Sequence, residues 1–323
     1  MKKLLCFSLS LILSMSLLVG CEKKEDTDID DKSSEVATAS VDDFVYEKNE
    51  DGGITIKKYI GEAAHVQIPD EIDSLPVTTI GYNCFEKSKT LKSVVIPDTV
   101  TIIKAEAFSG CNMLESIKFS QNLKIIEASV FQNCKALINI DLPNSLTTMY
   151  YGAFLGCASL ERIVVPKNVT TIDRAVFSNC TIKEIAFLGE VEVIDTCAFA
   201  NNPSIEEVTV PASVKRIGGA AFGNCPNLKT IILNEGLLSV DGRAFTMNPA
   251  LTEIVIPKTV ETITEAAFDK CPALKSVKFE GDAPMEYEVE KENADYPEYT
   301  VYYHEGAKGF TSPEWCGYKS EKW

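Results

Sequence analysis

Apolar positions recur along this chain with a fixed period. An aromatic residue marks each unit: Phe85, Phe108, Phe131, Phe154, Phe177, Phe199, Phe222, Phe245 and Phe268. The spacing is 23 residues, with one step of 22. Further aliphatic columns keep register with the Phe. Leu or Ile follows six residues on, as at Leu114, Leu137 and Leu160, then an Ile-x-Val pattern such as Ile163-Val164-Val165. Later in the unit come a Val or Leu (Val100, Leu123, Val169, Val260) and, three residues further, a last aliphatic (Ile103, Ile126, Ile172, Ile263). The short step falls in Cys180-Thr181-Ile182, where one residue is missing and the columns resume beyond it. Alternation over Ile-x-Val predicts a short strand with one face buried, and the intervening residues predict turns.

Self-similarity at this period signals a stacked solenoid, and L-x-x-L-x-L within it is the leucine-rich repeat signature. A Phe and four aliphatics contribute on the order of 10 kcal/mol when buried. Fixing one unit's backbone costs about 1–2 kcal/mol per residue. A single unit therefore does not fold alone, and each coil depends on its neighbours. The full pattern, A-F-x-x-C-x-x-L-x-x-I-x-I-P-x-x-V-x-x-I, resembles the BspA-like class of bacterial surface leucine-rich repeats over about residues 44–323. The expected fold is a leucine-rich repeat solenoid: a parallel β-strand ladder of about nine coils, short turns on its other face, and a cap at each end. The resemblance implies adhesion to host or neighbouring-cell proteins.

The flanks divide the rest of the chain. Residues 1–20 read as a signal peptide, with Lys2 and Lys3 ahead of an apolar run too short for a typical membrane span. Leu18-Val19-Gly20-Cys21 looks like a bacterial lipobox, which makes Cys21 the lipidated N-terminus of an exported protein anchored to the cell membrane and facing outward. Residues 21–43 are acidic and aperiodic, and read as a disordered tether. Within them Asp26, Asp28 and Asp30 resemble a calcium loop, but Asp31 stands where glycine is required and Ala37 where the bidentate Glu is required. Residues 44–84 form the expected N-terminal cap and first half-repeat, with a hairpin around Gly52-Gly53 and a loop from Asp73 to Pro76. Repeats fill 85–284. Residues 285–323 form the C-terminal cap: a charged insertion over 285–299, a last strand from Thr300 to His304, and Phe310, Trp315 and Tyr318 closing the end.

Charge and candidate chemistry narrow the function. The net charge of −16 argues against nucleic acid and anionic lipid surfaces, and fits either solubility or steering of basic partners. The two histidines, His65 and His304, lie at opposite ends, and no catalytic, phosphate-binding or dinucleotide motif occurs. No catalytic residue, cofactor or metal site is assigned, and the chain is read as non-enzymatic. Cys111, Cys134, Cys157, Cys180, Cys225 and Cys271 share one column with Asn202, Asn248 and Ser88. A column accepting Cys, Asn and Ser calls for a small donor bonded to the adjacent coil's backbone, so reduced, buried thiols are expected. Cys84, Cys197 and Cys316 lie off this column and are expected to be exposed.

The remaining surface is the outward face of the strand ladder. Val164, Ile232 and Val255 place apolar side chains there, and Glu184, Glu207 and Glu253 make its later half acidic. Exposed apolar area on a rigid ladder suggests a protein-binding surface. The favoured function is non-enzymatic binding at the cell surface; a scaffold within an envelope complex is the alternative.

Overall fold

The computed structural model describes residues 39–287 and 297–323. The signal peptide, Cys21, the tether up to residue 38 and the middle of the 285–299 insertion lie outside these residues. The described chain winds into a parallel β-solenoid of about 11 turns of about 23 residues, rather than nine. The additional turns come from the ends. Strand Ile54–Tyr59 pairs antiparallel with Phe44–Lys48 as the expected hairpin, but also in parallel with Leu75–Ile80. At the other end Thr300–Tyr303 is not the last strand, since Tyr318–Lys322 pairs in parallel with it. The caps are thus coils of the same stack whose spacing departs from the repeat. The loop expected from Asp73 to Pro76 is tighter than that, with Asp73 and Ser74 at φ 53° and 62° between paired strands Glu71–Ile72 and Leu75–Ile80.

Each coil contributes to two ladders. The first carries the Ile-x-Ile strands, such as Ser116–Lys118, Arg162–Val165 and Glu253–Ile256. The second consists of two-residue strands ending in the last aliphatic column, such as Ile125–Ile126 and Thr262–Ile263. The face expected to hold only turns is therefore itself laddered. Its inward residues Ile103, Ile126 and Ile172 are fully buried, so the stacking force is the same on both faces.

Sharp corners bracket the Phe of every repeat. The residues two before and two after it all have positive φ, from Asn83 and Lys87 through Gly152 and Gly156 to Ala266 and Lys270. The later of these columns is rich in Gly and Asn, the residues that tolerate the left-handed region best. Between the corners the Phe rings stack in one continuous column, with centroids 4.8 Å apart at Phe85–Phe108 and 6.2 Å at Phe222–Phe245. Tyr59 extends the column at one end, stacked 5.0 Å from Phe85, and Tyr299 closes it at the other, edge-on and 6.4 Å from Phe268.

Beside the rings runs the thiol column. Each Sγ donates to the Phe carbonyl one coil back: Cys111 to Phe85 at 3.0 Å, Cys134 to Phe108 at 3.1 Å, Cys157 to Phe131 at 3.2 Å, Cys271 to Phe245 at 3.1 Å. All of these thiols are free and buried. Cys84 is buried too, against the sequence expectation, because it precedes Phe85 and packs under the N-terminal coils. Cys316 is exposed and Cys197 half-buried.

Asn202 and Asn248 use the same column differently. Asn202 donates to the Phe177 carbonyl at 2.8 Å and accepts the Ile182 amide at 3.2 Å. Asn248 donates to the Phe222 carbonyl at 2.9 Å and accepts the Cys225 amide at 2.8 Å. Each Asn thus links two coils twice, where a Cys links them once.

Candidate binding surface

The first ladder is not continuous. It divides into four hydrogen-bonded segments, with breaks between Asn139–Ile140 and Arg162–Val165, between Glu184–Phe187 and Glu207–Thr209, and between Thr230–Ile232 and Glu253–Ile256. The second and third breaks are the two coil junctions that Asn202 and Asn248 span. The columns alone gave no sign of these breaks, and Asn at a Cys position was their one local signal.

A groove lies over each of these two junctions. The larger, about 490 Å³, is lined by Thr230, Ile232, Glu235, Glu253, Val255 and Glu280, among others. The smaller, about 420 Å³, is lined by Lys183, Glu184, Pro203, Ser204, Glu206 and Asn227. The residues singled out in the sequence are thereby partly assembled. Ile232, Glu253 and Val255 share the larger groove, and Glu184 lines the smaller one. Glu207 is the register partner of Thr230 and stands one coil from the larger groove. Val164 pairs with Ala186 and lines neither groove. Ile232 is the most open of the apolar set at 42 % exposure, whereas Val164 and Val255 are half-buried.

The acidic column differs in charge from the expectation. Glu184 pairs with Arg162 at 3.5 Å and Glu253 with Lys278 at 2.5 Å, each across one coil junction. The Lys278 ammonium holds the Glu253 carboxyl below its usual range, and the Ser276 hydroxyl adds a bond at 3.0 Å. Among the described residues Glu207 makes no ion pair, and neither does Glu280, which the sequence reading passed over because it lies just beyond the strand. Among the described residues Glu280 is therefore a free carboxylate lining the larger groove, and Glu207 is a second one, a coil beyond its edge. The thiols contribute nothing to a reactive site: burial pushes Cys111, Cys180 and Cys271 up to about 12 and Cys225 up to about 11. No group of His, Cys, Asp or Glu suited to a metal ion occurs among the described residues.

Comparison with known proteins agrees with this architecture. The model of the BspA type leucine rich repeat region, in six copies, matches residues 78–206 and 192–286. A leucine-rich repeat protein from Bacteroides ovatus superposes with a TM-score of 0.70 at 22 % identity, over 82 % of this chain and 70 % of that one. One from Eubacterium ventriosum gives a TM-score of 0.50 at 24 % identity, over 73 % and 69 % of the two chains. Both show likeness of fold. No curated protein matches the chain.

Proposed function

Since the chain belongs to the BspA-type leucine-rich repeat family, we propose that it is a non-enzymatic binding protein of the bacterial cell surface that engages a protein partner through the first ladder. The observation that carries this reading is the groove over the Thr230–Ile232 and Glu253–Ile256 junction. There Ile232 and Val255 offer apolar contact on a preformed surface. A rigid surface loses little conformational entropy on binding, so modest contacts give useful affinity.

Presentation at the surface rests on the sequence. Residues 1–20 would direct export and Cys21 would take the lipid that holds the protein in the membrane, with 21–43 as the tether. Two experiments test the reading. Capture from intact cells with the purified domain should recover a protein partner, and Ile232→Asp should weaken that capture. Cys21→Ala should release the protein from membranes; a variant that stays anchored refutes lipidation at this residue.

A further inference from the structure

Glu207 and Glu280 flank the larger groove from opposite corners. Glu207 aligns with Thr230 in the next coil, and Glu253 aligns with Ser276 two coils further along the same column. Glu280 follows Ser276 by four residues. With coils about 4.8 Å apart and strand residues rising about 3.3 Å, the two carboxylates stand roughly 20 Å apart on a diagonal of the ladder face. Ile232 lies one coil and two residues from Glu207, and Val255 two coils and two residues from it. The apolar pair therefore occupies the midpoint of that diagonal. Nearby carboxylates add no further free charge, since Glu253 is engaged by Lys278, Glu206 by Lys229 at 2.8 Å, and Glu235 by Lys258 at 3.6 Å.

We infer that this groove binds an extended peptide segment of about seven residues with a basic side chain at each end and an apolar side chain on either side of its centre, at the third and fifth positions, so that all four point to one face. The charge complementarity comes from Glu207 and Glu280, and the central contact from Ile232 and Val255. Six steps of extended chain at about 3.3 Å span roughly 20 Å, which matches the diagonal. This inference depends on the ladder face being the binding surface, and it specifies the partner's chemistry.

The test uses the purified full chain and a synthetic heptapeptide, capped at both ends, with Lys at its first and last positions, Leu at its third and fifth, which share their face, and Ser elsewhere. Saturable binding by calorimetry is expected, with methyl NMR shifts centred on Ile232 and Val255. The same peptide with Glu in place of Lys should not bind. Glu207→Lys and Glu280→Lys should each weaken binding at least fivefold and Ile232→Asp at least tenfold. Glu115→Gln, several coils away and lining neither groove, should change it less than twofold. All four side chains are exposed, so the variants retain the fold. Absence of saturable binding, shifts centred elsewhere, or equal effects of Glu115→Gln and Glu280→Lys would each overturn the inference. If the heptapeptide fails while Ile232→Asp still abolishes capture of a cellular protein, the ladder face remains the binding surface and only its proposed ligand class is wrong.

Discussion

Asn202 Oδ1 accepts the backbone amide of Ile182, 3.2 Å away in the preceding coil. Complete coils close the equivalent amide internally, as Leu114 does on the Cys111 carbonyl and Leu160 on that of Cys157, at 3.1 and 3.0 Å. The residue missing between Cys180 and Ile182 removes that internal bond, and the neighbouring coil's side chain supplies the acceptor. A buried amide left unpaired costs about 1–3 kcal/mol. Asn202→Cys should therefore destabilise the protein by that amount in denaturant titrations. The same substitution should cost distinctly less in a chain with one residue inserted after Cys180. Equal costs in both backgrounds would show that Asn202 does not compensate for the deletion.

The thiol column makes stability fall at high pH. Burial raises Cys225 to about 11 and Cys111, Cys180 and Cys271 to about 12, above the ordinary thiol value. The neutral form is thus favoured by the fold, and its contribution is fully present below the unfolded pKa. It is lost as pH rises from about 9 toward the folded values, because the unfolded chain ionises first. In that window each such thiol steepens the decline by about 1.4 kcal/mol per pH unit. Cys225→Ala should flatten the pH dependence of the unfolding midpoint between pH 9 and 11 by this increment. An unchanged slope would mean that the thiol is accessible in the native state.

Phe154 lies mid-column, fully buried, 5.1 Å from Phe131 and 5.6 Å from Phe177. Phe154→Ala should cost about 3–5 kcal/mol. Because each coil contacts only its neighbours, the loss should also uncouple the two halves and make unfolding multiphasic in calorimetry. A single transition at an unchanged temperature would show that the ring column is dispensable.

Met247 holds φ 59° at an exposed corner where most other coils carry Gly or Asn. A side chain in the left-handed region costs roughly 1–2 kcal/mol, and glycine's larger unfolded entropy returns roughly half of that. Met247→Gly should stabilise by about 0.5–1 kcal/mol. Gly156→Ala should do the opposite, since φ is 76° and the new Cβ would lie 2.5 Å from Asn133 Oδ1. Equilibrium unfolding of both variants checks the sign.

The repeat was legible because its core columns are one-dimensional: the Phe, Leu and Ile positions bury the same way in each coil. What escaped notice was whatever depends on the relation between coils. The second ladder hides in two-residue strands too short to alternate. Tyr59 continues the Phe column and Tyr299 closes it, both at spacings other than the repeat, so they carry no periodic signal. Arg162 and Lys278 neutralise Glu184 and Glu253 across a junction, whereas the sequence places these residues more than 20 positions apart. Asn202 and Asn248 matched their column as donors, but their acceptor role exists only against the neighbouring amide. Glu280 belongs to no column and gained meaning only from the groove it lines.

The coil junctions also differ in what they would withstand under tension. A surface protein held at one end and bound at the other is loaded along its stack. At the junction between the Phe222 and Phe245 coils the rings are 6.2 Å apart, the widest step between successive Phe residues, and the first ladder has no main-chain bonds across it. Asn248 adds two bonds to the main-chain bonds that cross the same junction elsewhere, from Phe222 to Ala244, from Asn224 to Thr246 and through the second ladder. Under tension the junction would gape on its first-ladder side, directly beneath Ile232 and Val255, while the other bonds act as the hinge, and a ligand seated across both coils would resist the gaping.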